Sequence, residues 1–412
     1  MQAVLGIVFL MAFAWLLSEA RGAVRWRPVV IGLAIQIALA LLLLRVPAVA
    51  NTLLLLNHVV YAIESATAAG AGFVFGYLGG GDAPFQIDQA GALYIFAFRV
   101  LPQIIVFSVL VAVFWYWRVL PLVIRAFGSV LRRALDVGGA VGTAAAASIF
   151  LGMVETPLVI RAYLSRLSRS ELFTVMTCGM STVAGSIMVL YANVLMNTVP
   201  GALGHVLIAS VINVLGAVIV SRIMIPAETA TDAEYADAGL SYSSMMDAIT
   251  RGTYDGLRLA ANVGAMLIVL VSLVALVNQL LSGVMVSDAP LTLERVMGWI
   301  FSPVAWLIGI PWQEAQTAGA LLGSKLILNE LVAYLQMAGL SQGALSDSSR
   351  LVMTYALCGF ANFGSLGIML GGFSTLVPER REELLKIGPK TLISGTLVTC
   401  NTGAIVALVS LL

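Results

Sequence analysis

Two glutamates stand inside stretches of sequence that are otherwise apolar enough to lie in a lipid bilayer. Glu155 belongs to the run 139–186, and Glu330 lies near the centre of the run 315–334. A carboxylate at the centre of a bilayer costs at least ~3 kcal/mol, so such a group usually lines a cavity or holds a ligand or proton. The alternative is an internal ion pair that only holds helices together. A second site of the same kind far along the chain favours the ligand-binding interpretation.

Composition places the chain in a membrane. Of its 412 residues, 60% are hydrophobic and 10% are charged, and the mean hydropathy is +0.99. Backbone polar groups in lipid must be satisfied internally, so only helices or a closed barrel can span a bilayer. Apolar runs of ~17–25 residues without strict alternation favour helices.

Several functional classes are disfavoured by what the sequence lacks. The formal net charge is +1, and no basic patch suggests a nucleic-acid partner. Neither a HExxH motif nor a P-loop is present, which argues against a metallohydrolase and against ATP as the energy source. Cys178, Cys358 and Cys400 lie in apolar segments and form no CxxC pair, so they are interpreted as packing residues.

The charges that flank the apolar runs predict their orientation. Arg21, Arg25 and Arg27 follow the first run, and Lys/Arg-rich flanks stay cytoplasmic, so the N-terminus is expected outside. The chain then crosses eight times, which leaves the C-terminus outside as well. Arginines spaced through 118–133 predict an amphipathic helix along the cytoplasmic interface. The predicted spans are 4–20, 29–49, 91–117, 172–195, 202–225, 257–281, 351–373 and 391–412.

Two further apolar segments are too short to span the bilayer. Residues 139–151 and 156–164 could each cover only part of ~30 Å of hydrocarbon, so they predict a re-entrant hairpin bent between Gly152 and Pro157. The interrupted stretch 315–334 predicts a second one, entering from the other side. A Cys-Gly pair followed by Gly-Ser occurs after each hairpin, at 178–186 and about 180 positions later. Chance similarity is the alternative to an inverted repeat, which in transporters places the substrate near the midplane.

We therefore predict an all-α polytopic membrane protein with about eight transmembrane helices and two opposed re-entrant helical hairpins in an inverted repeat. Residues 1–138 would supply N-terminal spans and the interfacial helix as a scaffold. Residues 139–225 would form the first hairpin and its following spans. Residues 226–300 would form a cytoplasmic loop, a crossing span and an outer segment that serve scaffold or oligomer contacts. Residues 301–412 would form the second hairpin and its following spans.

Seven stretches of the chain carry a family resemblance. They are FAFRVLPQIIVFS (96–108), LGMVETPL (151–158), MTCGMSTVAGSIM (176–188), GLRLAANVGAMLI (256–268), FSPVAWLIGIPW (301–312), LLGSKLILNELVAY (321–334) and YALCGFANFGSLGIMLGG (355–372). In these stretches the chain resembles the concentrative nucleoside transporter family. The resemblance implies a cation-driven symporter that imports nucleosides across the plasma (inner) membrane, commonly as a homotrimer, and that is not an enzyme.

The resemblance assigns the ribose end of a nucleoside site to three residues. The family's LNE motif supplies Glu330, which would accept hydrogen bonds from ribose hydroxyls. Its FANF(S/G)S motif supplies Asn362 and Ser365. An ionised carboxylate is a strong acceptor for vicinal hydroxyl donors, so a sugar lacking those hydroxyls should be rejected.

At the base end the chain departs from the family pattern. The family usually has Gly-Gln-(Thr/Ser)-Glu where this chain has Gly152-Met153-Val154-Glu155. Glu155 is retained, and Met153 and Val154 replace two polar contacts. Ile187 matches an apolar position that packs against the base. We expect base recognition to be looser or shifted toward purines, whose larger π-surface a methionine can contact.

The family's sodium site also changes in part. Its aligned positions here are Ser148, Leu151, Thr182 and Val183, and Ser148 replaces an asparagine. Sodium is the expected co-transported ion, and proton coupling through a buried carboxylate such as Glu155 is the alternative. The rival functions are transport of another small polar solute or an organic anion by the same architecture, an intramembrane hydrolase, and a passive channel. An anion site would need a fixed arginine, and a hydrolase would need a catalytic set that the spans do not offer.

Overall fold

The fold is nearly all-helical in the computed structural model, which describes residues 1–46, 62–63, 65–86, 95–135, 137–226, 241–286 and 289–411. Two short antiparallel strands, Met285–Val286 (β1) and Ala289–Pro290 (β2), are the exception within these ranges. This confirms the predicted all-α class.

Seventeen labelled helices account for most of the described chain. Helical backbone also runs through residues 65–75, and short 3-10 turns occupy Arg21–Ala23, Gly76–Gly79, Arg161–Tyr163 and Pro378–Arg380. The helices are α1 Gln2–Leu16, α2 Trp26–Arg45, α3 Phe96–Arg99, α4 Leu101–Tyr116, α5 Val119–Leu135, α6 Gly139–Ala147, α7 Glu155–Val159, α8 Arg169–Ser181, α9 Gly185–Leu195, α10 Ala202–Met224, α11 Met245–Leu281, α12 Leu293–Leu307, α13 Trp312–Ile327, α14 Glu330–Ala338, α15 Asp347–Leu357, α16 Phe363–Leu376 and α17 Arg381–Leu411.

The predicted spans correspond to continuous or interrupted helices. Among the described residues, five helical segments are long and apolar enough to cross a membrane, namely α2, α3 with α4, α10, α11 and α17 with the turn before it. The other three predicted spans correspond to the shorter apolar α1 and to the two interrupted helices α8–α9 and α15–α16. Parts of the predictions that fall on 47–49, 91–94, 227–240 and 412 lie outside the described residues.

Two helices extend beyond the bounds that hydropathy predicted. The span predicted for 257–281 begins earlier as a helix, because α11 starts at Met245, where the Ser244 hydroxyl accepts from the Asp247 N–H at 3.1 Å. The span predicted for 391–412 also begins earlier as a helix, because α17 starts at Arg381 and carries basic residues in its first turns. Charged residues can continue a helix past the hydrocarbon, so a change in hydropathy does not mark its end.

The predicted amphipathic helix is α5. It buries Leu120, Ile124 and Leu131 at spacings of four and seven residues, while Leu122 and Val130 are exposed. That spacing gives one apolar face to a helix. The buried face packs on α6, so α5 supports the first hairpin from outside.

Both predicted hairpins are pairs of short helices joined at a break. In the first hairpin, α6 spans nine residues and α7 five, and the alanines of 144–147 are fully buried. In the second, α13 and α14 are separated at Leu328 and Asn329, and the Asn329 side chain caps α14 by accepting from the Val332 N–H at 2.9 Å. Their depth in a membrane stays a prediction.

The two interrupted helices meet at their breaks. The Phe360 N–H, in the break between α15 and α16, donates to the Thr182 carbonyl in the break between α8 and α9 at 3.3 Å. Asn213 of α10 uses one amide nitrogen to donate to the Ser181 carbonyl at 2.7 Å and the Cys358 carbonyl at 2.8 Å. These carbonyls are among the orphan acceptors at helix C-termini. The two repeated sequence motifs are therefore neighbours in space.

Candidate binding site

A cavity of about 190 Å³ lies where the two hairpin tips face the broken helices and α11. Sequence reasoning placed its candidate residues on four segments that are far apart in the chain, and the fold brings these segments to one space. All seven predicted substrate contacts line it: Met153, Val154, Glu155, Ile187, Glu330, Asn362 and Ser365. Their role in binding stays a prediction, whereas their convergence is a property of the structure.

Glu330 is held in a fixed orientation at one end of the cavity. It is the first residue of α14 and is only 4% exposed. Its Oε1 accepts from the Tyr191 hydroxyl, and its Oε2 accepts from Asn362 Nδ2 at 2.9 Å. The position at a helix N-terminus favours negative charge. Each carboxylate oxygen can accept two hydrogen bonds, so these two donors leave acceptor capacity for a ligand.

Asn362 and Ser365 are positioned by the start of α16. Asn362 is its N-cap, and Asn362 Oδ1 accepts from the Ser365 N–H at 2.7 Å. Capping by asparagine is among the strongest local preferences at a helix start. With its oxygen used by the cap, the Asn362 amide presents its nitrogen to Glu330. The Ser365 hydroxyl lines the same end of the cavity.

The opposite end is formed by the tip of the first hairpin. Glu155 begins α7, and its Oε2 accepts from the Gly152 N–H at 2.9 Å, which closes the tip on itself. Met153 lies against Gly179 of α8, where an added Cβ would be 3.0 Å from the Met153 Cβ. Val154 lies against Gly372 of α16, where an added Cβ would be 3.2 Å from the Val154 Cγ1. Apolar side chains and one carboxylate therefore form this end.

Sequence reasoning missed three polar residues that line the cavity: Tyr191, Asn262 and Asn329. Tyr191 follows Ile187 by four residues on α9, which puts both on one helix face. That spacing could have indicated it. Its bond to Glu330 joins residues 139 positions apart, and no local pattern indicates such a contact.

The predicted ion-site residues lie behind the first hairpin tip and do not line this cavity. Ser148, Leu151, Thr182 and Val183 are all at most 1% exposed. The tip is tied to the α8–α9 break by a hydrogen bond from the Gly185 N–H to the Phe150 carbonyl at 2.8 Å. The structure thus brings the two predicted segments into contact.

The two hydroxyls predicted to serve the ion bond to their own helices. Ser148 Oγ donates to the Ala145 carbonyl at 2.8 Å, and Thr182 Oγ1 donates to the Cys178 carbonyl at 2.9 Å. A hydroxyl that donates in this way keeps its oxygen lone pairs, and oxygen ligands suit a hard cation. Among the described residues, no group of three His, Cys, Asp or Glu side chains could hold a metal ion.

A second cavity of about 620 Å³ adjoins the first. The two share five lining residues, Val154, Glu155, Leu259, Asn262 and Ile368. Tyr242, Asp255 and Arg258 also line the larger one. Glu330, Asn362 and Ser365 do not, so the larger cavity continues from the Glu155 end.

A buried cavity between interrupted helices, lined by two carboxylates in a polytopic helical membrane protein, defines the transporter class. Three family models match the chain: "Na+ dependent nucleoside transporter N-terminus" over 5–78, "Nucleoside recognition" over 97–198 and "Na+ dependent nucleoside transporter C-terminus" over 205–407. The chain therefore belongs to the concentrative nucleoside transporter family.

Individual relatives cover almost the whole chain and are transporters or permeases rather than enzymes. The transporter YutK of Bacillus subtilis is 38% identical over 97% of this chain and 97% of its own. The nucleoside permease NupC of Helicobacter pylori is 34% identical over 98% and 96%. The structure of CNTnw in an inward-facing substrate-bound state superposes with a TM-score of 0.90 at 34% identity, over 99% of this chain and 97% of that one.

Proposed function

We propose that this nucleoside transporter is a cation-coupled symporter that imports nucleosides and binds them in the cavity between the two hairpin tips. The observation that carries the proposal is the presence of Glu155 and Glu330 at opposite ends of one cavity, each at the first position of a short helix. A cavity lined by two carboxylates suits a neutral solute with hydroxyl donors. None of the described residues lining this cavity is Lys or Arg, which disfavours an organic anion.

The Glu330 end suits a ribose. The remaining acceptor capacity of Glu330 suits adjacent hydroxyl donors, and hydrogen bonds to a charged acceptor contribute more than neutral ones. Asn362 and Ser365 complete this polar end. At the other end, Met153, Val154 and Ile187 offer apolar surface to a nucleobase, and Glu155 offers an acceptor. The arrangement favours purines because a larger base covers more of that surface.

Coupling to a cation explains how a neutral solute is concentrated. One positive charge moving inward gains about 2.3 kcal/mol per 100 mV, which supports more than tenfold accumulation. We propose sodium as the co-transported ion, ligated by oxygens around Ser148, Leu151, Thr182 and Val183. A proton carried by Glu155 is the alternative.

The larger organisation is proposed on the same basis. Segments 139–225 and 301–412 would carry the substrate, and segments 1–138 and 226–300 would form the scaffold and oligomer contacts of a homotrimer. Both termini would face the periplasm of an inner membrane.

Uptake by purified protein in liposomes tests these proposals. Labelled adenosine and uridine would be offered with a sodium gradient alone, a proton gradient alone, or neither. We expect concentrative uptake with sodium alone, and we expect Ser148→Ala to raise the sodium concentration needed for half-maximal uptake. If a proton gradient alone drove nucleoside accumulation and Glu155→Gln abolished it, the co-transported ion would be the proton rather than sodium. Equilibration without either gradient would overturn symport.

A further inference from the structure

One amide on α11 faces the end of the cavity where the proposed site lacks a hydrogen-bond donor. Asn262 lines the narrow cavity and the larger one, together with Val154 and Glu155 of the first hairpin tip. Glu330 does not line the larger cavity, so this shared lining places Asn262 on the Glu155 side, where the nucleobase is proposed to lie. Asn262 is an exposed residue.

The position of Asn262 on its helix follows from how α11 packs. Gly252 and Gly256 let α11 approach α4 closely, since an added Cβ would lie 2.9 Å from the Val109 Cα and 2.7 Å from the Ile105 Cα. Small residues spaced four apart are a common means of close helix packing in membranes. With that face fixed on α4, Asp255 and Asn262, seven residues apart on one helix stripe, are turned toward the cavities.

A nucleobase at this end would need a donor that the hairpin tip does not supply. Met153 and Val154 are apolar, and an ionised Glu155 can only accept. A base edge presents acceptors as well as donors, and a buried polar group left without a partner is unfavourable. Of the five residues shared by the two cavities, Asn262 is the one whose side chain can donate.

We propose that Asn262 is a specificity-determining residue that pairs with the edge of the nucleobase. This rests on the proposed nucleoside site and deepens it. An asparagine amide presents a donor beside an acceptor, the pattern that pairs bidentately with the adenine amino group and its neighbouring ring nitrogen. The side chain comes from α11 rather than from the hairpin, so the base is held between a hairpin tip and an opposing wall.

The test combines a change in the protein with a change in the ligand. Uptake of adenosine, purine riboside and 3′-deoxyadenosine would be measured in proteoliposomes for the wild type and for Asn262→Leu. Purine riboside lacks the exocyclic amino group but keeps the sugar. We expect the wild type to favour adenosine over purine riboside by about tenfold in KM. Asn262→Leu should remove that preference and keep the discrimination against 3′-deoxyadenosine.

Controls separate this inference from the function on which it rests. Ser272→Leu introduces the same side chain at an exposed position on α11 that lines neither cavity, and it should behave as the wild type. If Asn262→Leu does not insert into the membrane, the same measurements would be made with Asn262→Ser. An unchanged preference for adenosine in a folded Asn262 variant overturns the inference alone. Absence of nucleoside uptake by the wild type overturns the proposed function itself.

Discussion

Replacing Glu330 by glutamine probes the ribose end of the proposed site with almost no change in shape. The carboxylate now accepts from Tyr191 and from Asn362. An amide at this position has one oxygen instead of two. Its NH₂ group cannot face Asn362 Nδ2, which is also a donor, so we expect the NH₂ to turn toward the Tyr191 hydroxyl. An acceptor site offered to the sugar is then lost.

The size of the effect follows from the bond that disappears. A hydrogen bond to a charged group contributes about 1.5–3 kcal/mol, which corresponds to roughly 10- to 150-fold in affinity. The wild type should therefore bind adenosine more tightly than 3′-deoxyadenosine by a factor in this range. Glu330→Gln should weaken the binding of adenosine by about that factor, and it should weaken the binding of 3′-deoxyadenosine much less.

Transport KM values in proteoliposomes, or calorimetric Kd values in detergent, would measure both ligands on both proteins. Glu314→Gln is the matched control. Glu314 lies on the same hairpin, and its carboxylate accepts from the Ser346 N–H and hydroxyl at 3.1 Å, outside the cavity. If Glu330→Gln weakened the two nucleosides equally, or kept the full discrimination, the assignment of Glu330 to the sugar would be wrong.

Three further perturbations have expected outcomes. Tyr191→Phe leaves Glu330 without one donor and should weaken nucleoside binding by roughly 5- to 100-fold, measured as Kd; an unchanged Kd would contradict the proposed orienting role. Met153→Gln should shift competition against labelled adenosine uptake toward pyrimidines, and strict uridine preference in the wild type would refute the purine assignment. The Arg169 guanidinium, followed by Lys390, holds the pKa of Glu19 at about 2, below its ordinary 4.5. This stabilisation is present above pH 4.5 and lost as the pH falls toward 2. Glu19→Gln should therefore lower the free energy of unfolding at pH 7 by up to about 1 kcal/mol. If the full difference from the wild type persisted at pH 2, it would contradict the pairing of Glu19 with Arg169 and Lys390.

Much of the helix layout could be predicted because its signals are local. Gly, Ser and Asn stand in or beside the breaks between helices: Ser181 and Gly185 flank the break at 182–184, and Gly359 and Asn362 lie in the break at 358–362. The short lengths of 139–151 and 156–164 also distinguish the arms of the first hairpin from full spans. Both signals depend on a few neighbouring residues, so a single sequence contains them.

The side-chain contacts that connect distant segments at the site could not be predicted in the same way. The Tyr191 hydroxyl reaches Glu330 across 139 positions, and Asn262 faces the hairpin tip from a helix that hydropathy marks only as an apolar span. Such contacts depend on how helices rotate about their axes when they pack, and apolar periodicity is weak in helices surrounded by lipid and protein. Resemblance supplied Glu330, Asn362 and Ser365, whereas the positioning of their partners required the fold.

The shared amide of Asn213 has a mechanical consequence. Two helix ends with exposed carbonyls are both electronegative and would repel one another if left alone. The NH₂ group of Asn213 donates to the carbonyls of both Ser181 and Cys358, so it offsets this repulsion and links the two helix ends. The two repeats are thereby linked where their helices break. We expect them to move together as one rigid body relative to the rest of the protein. The distance between Glu155 and Glu330 should then stay constant during that movement.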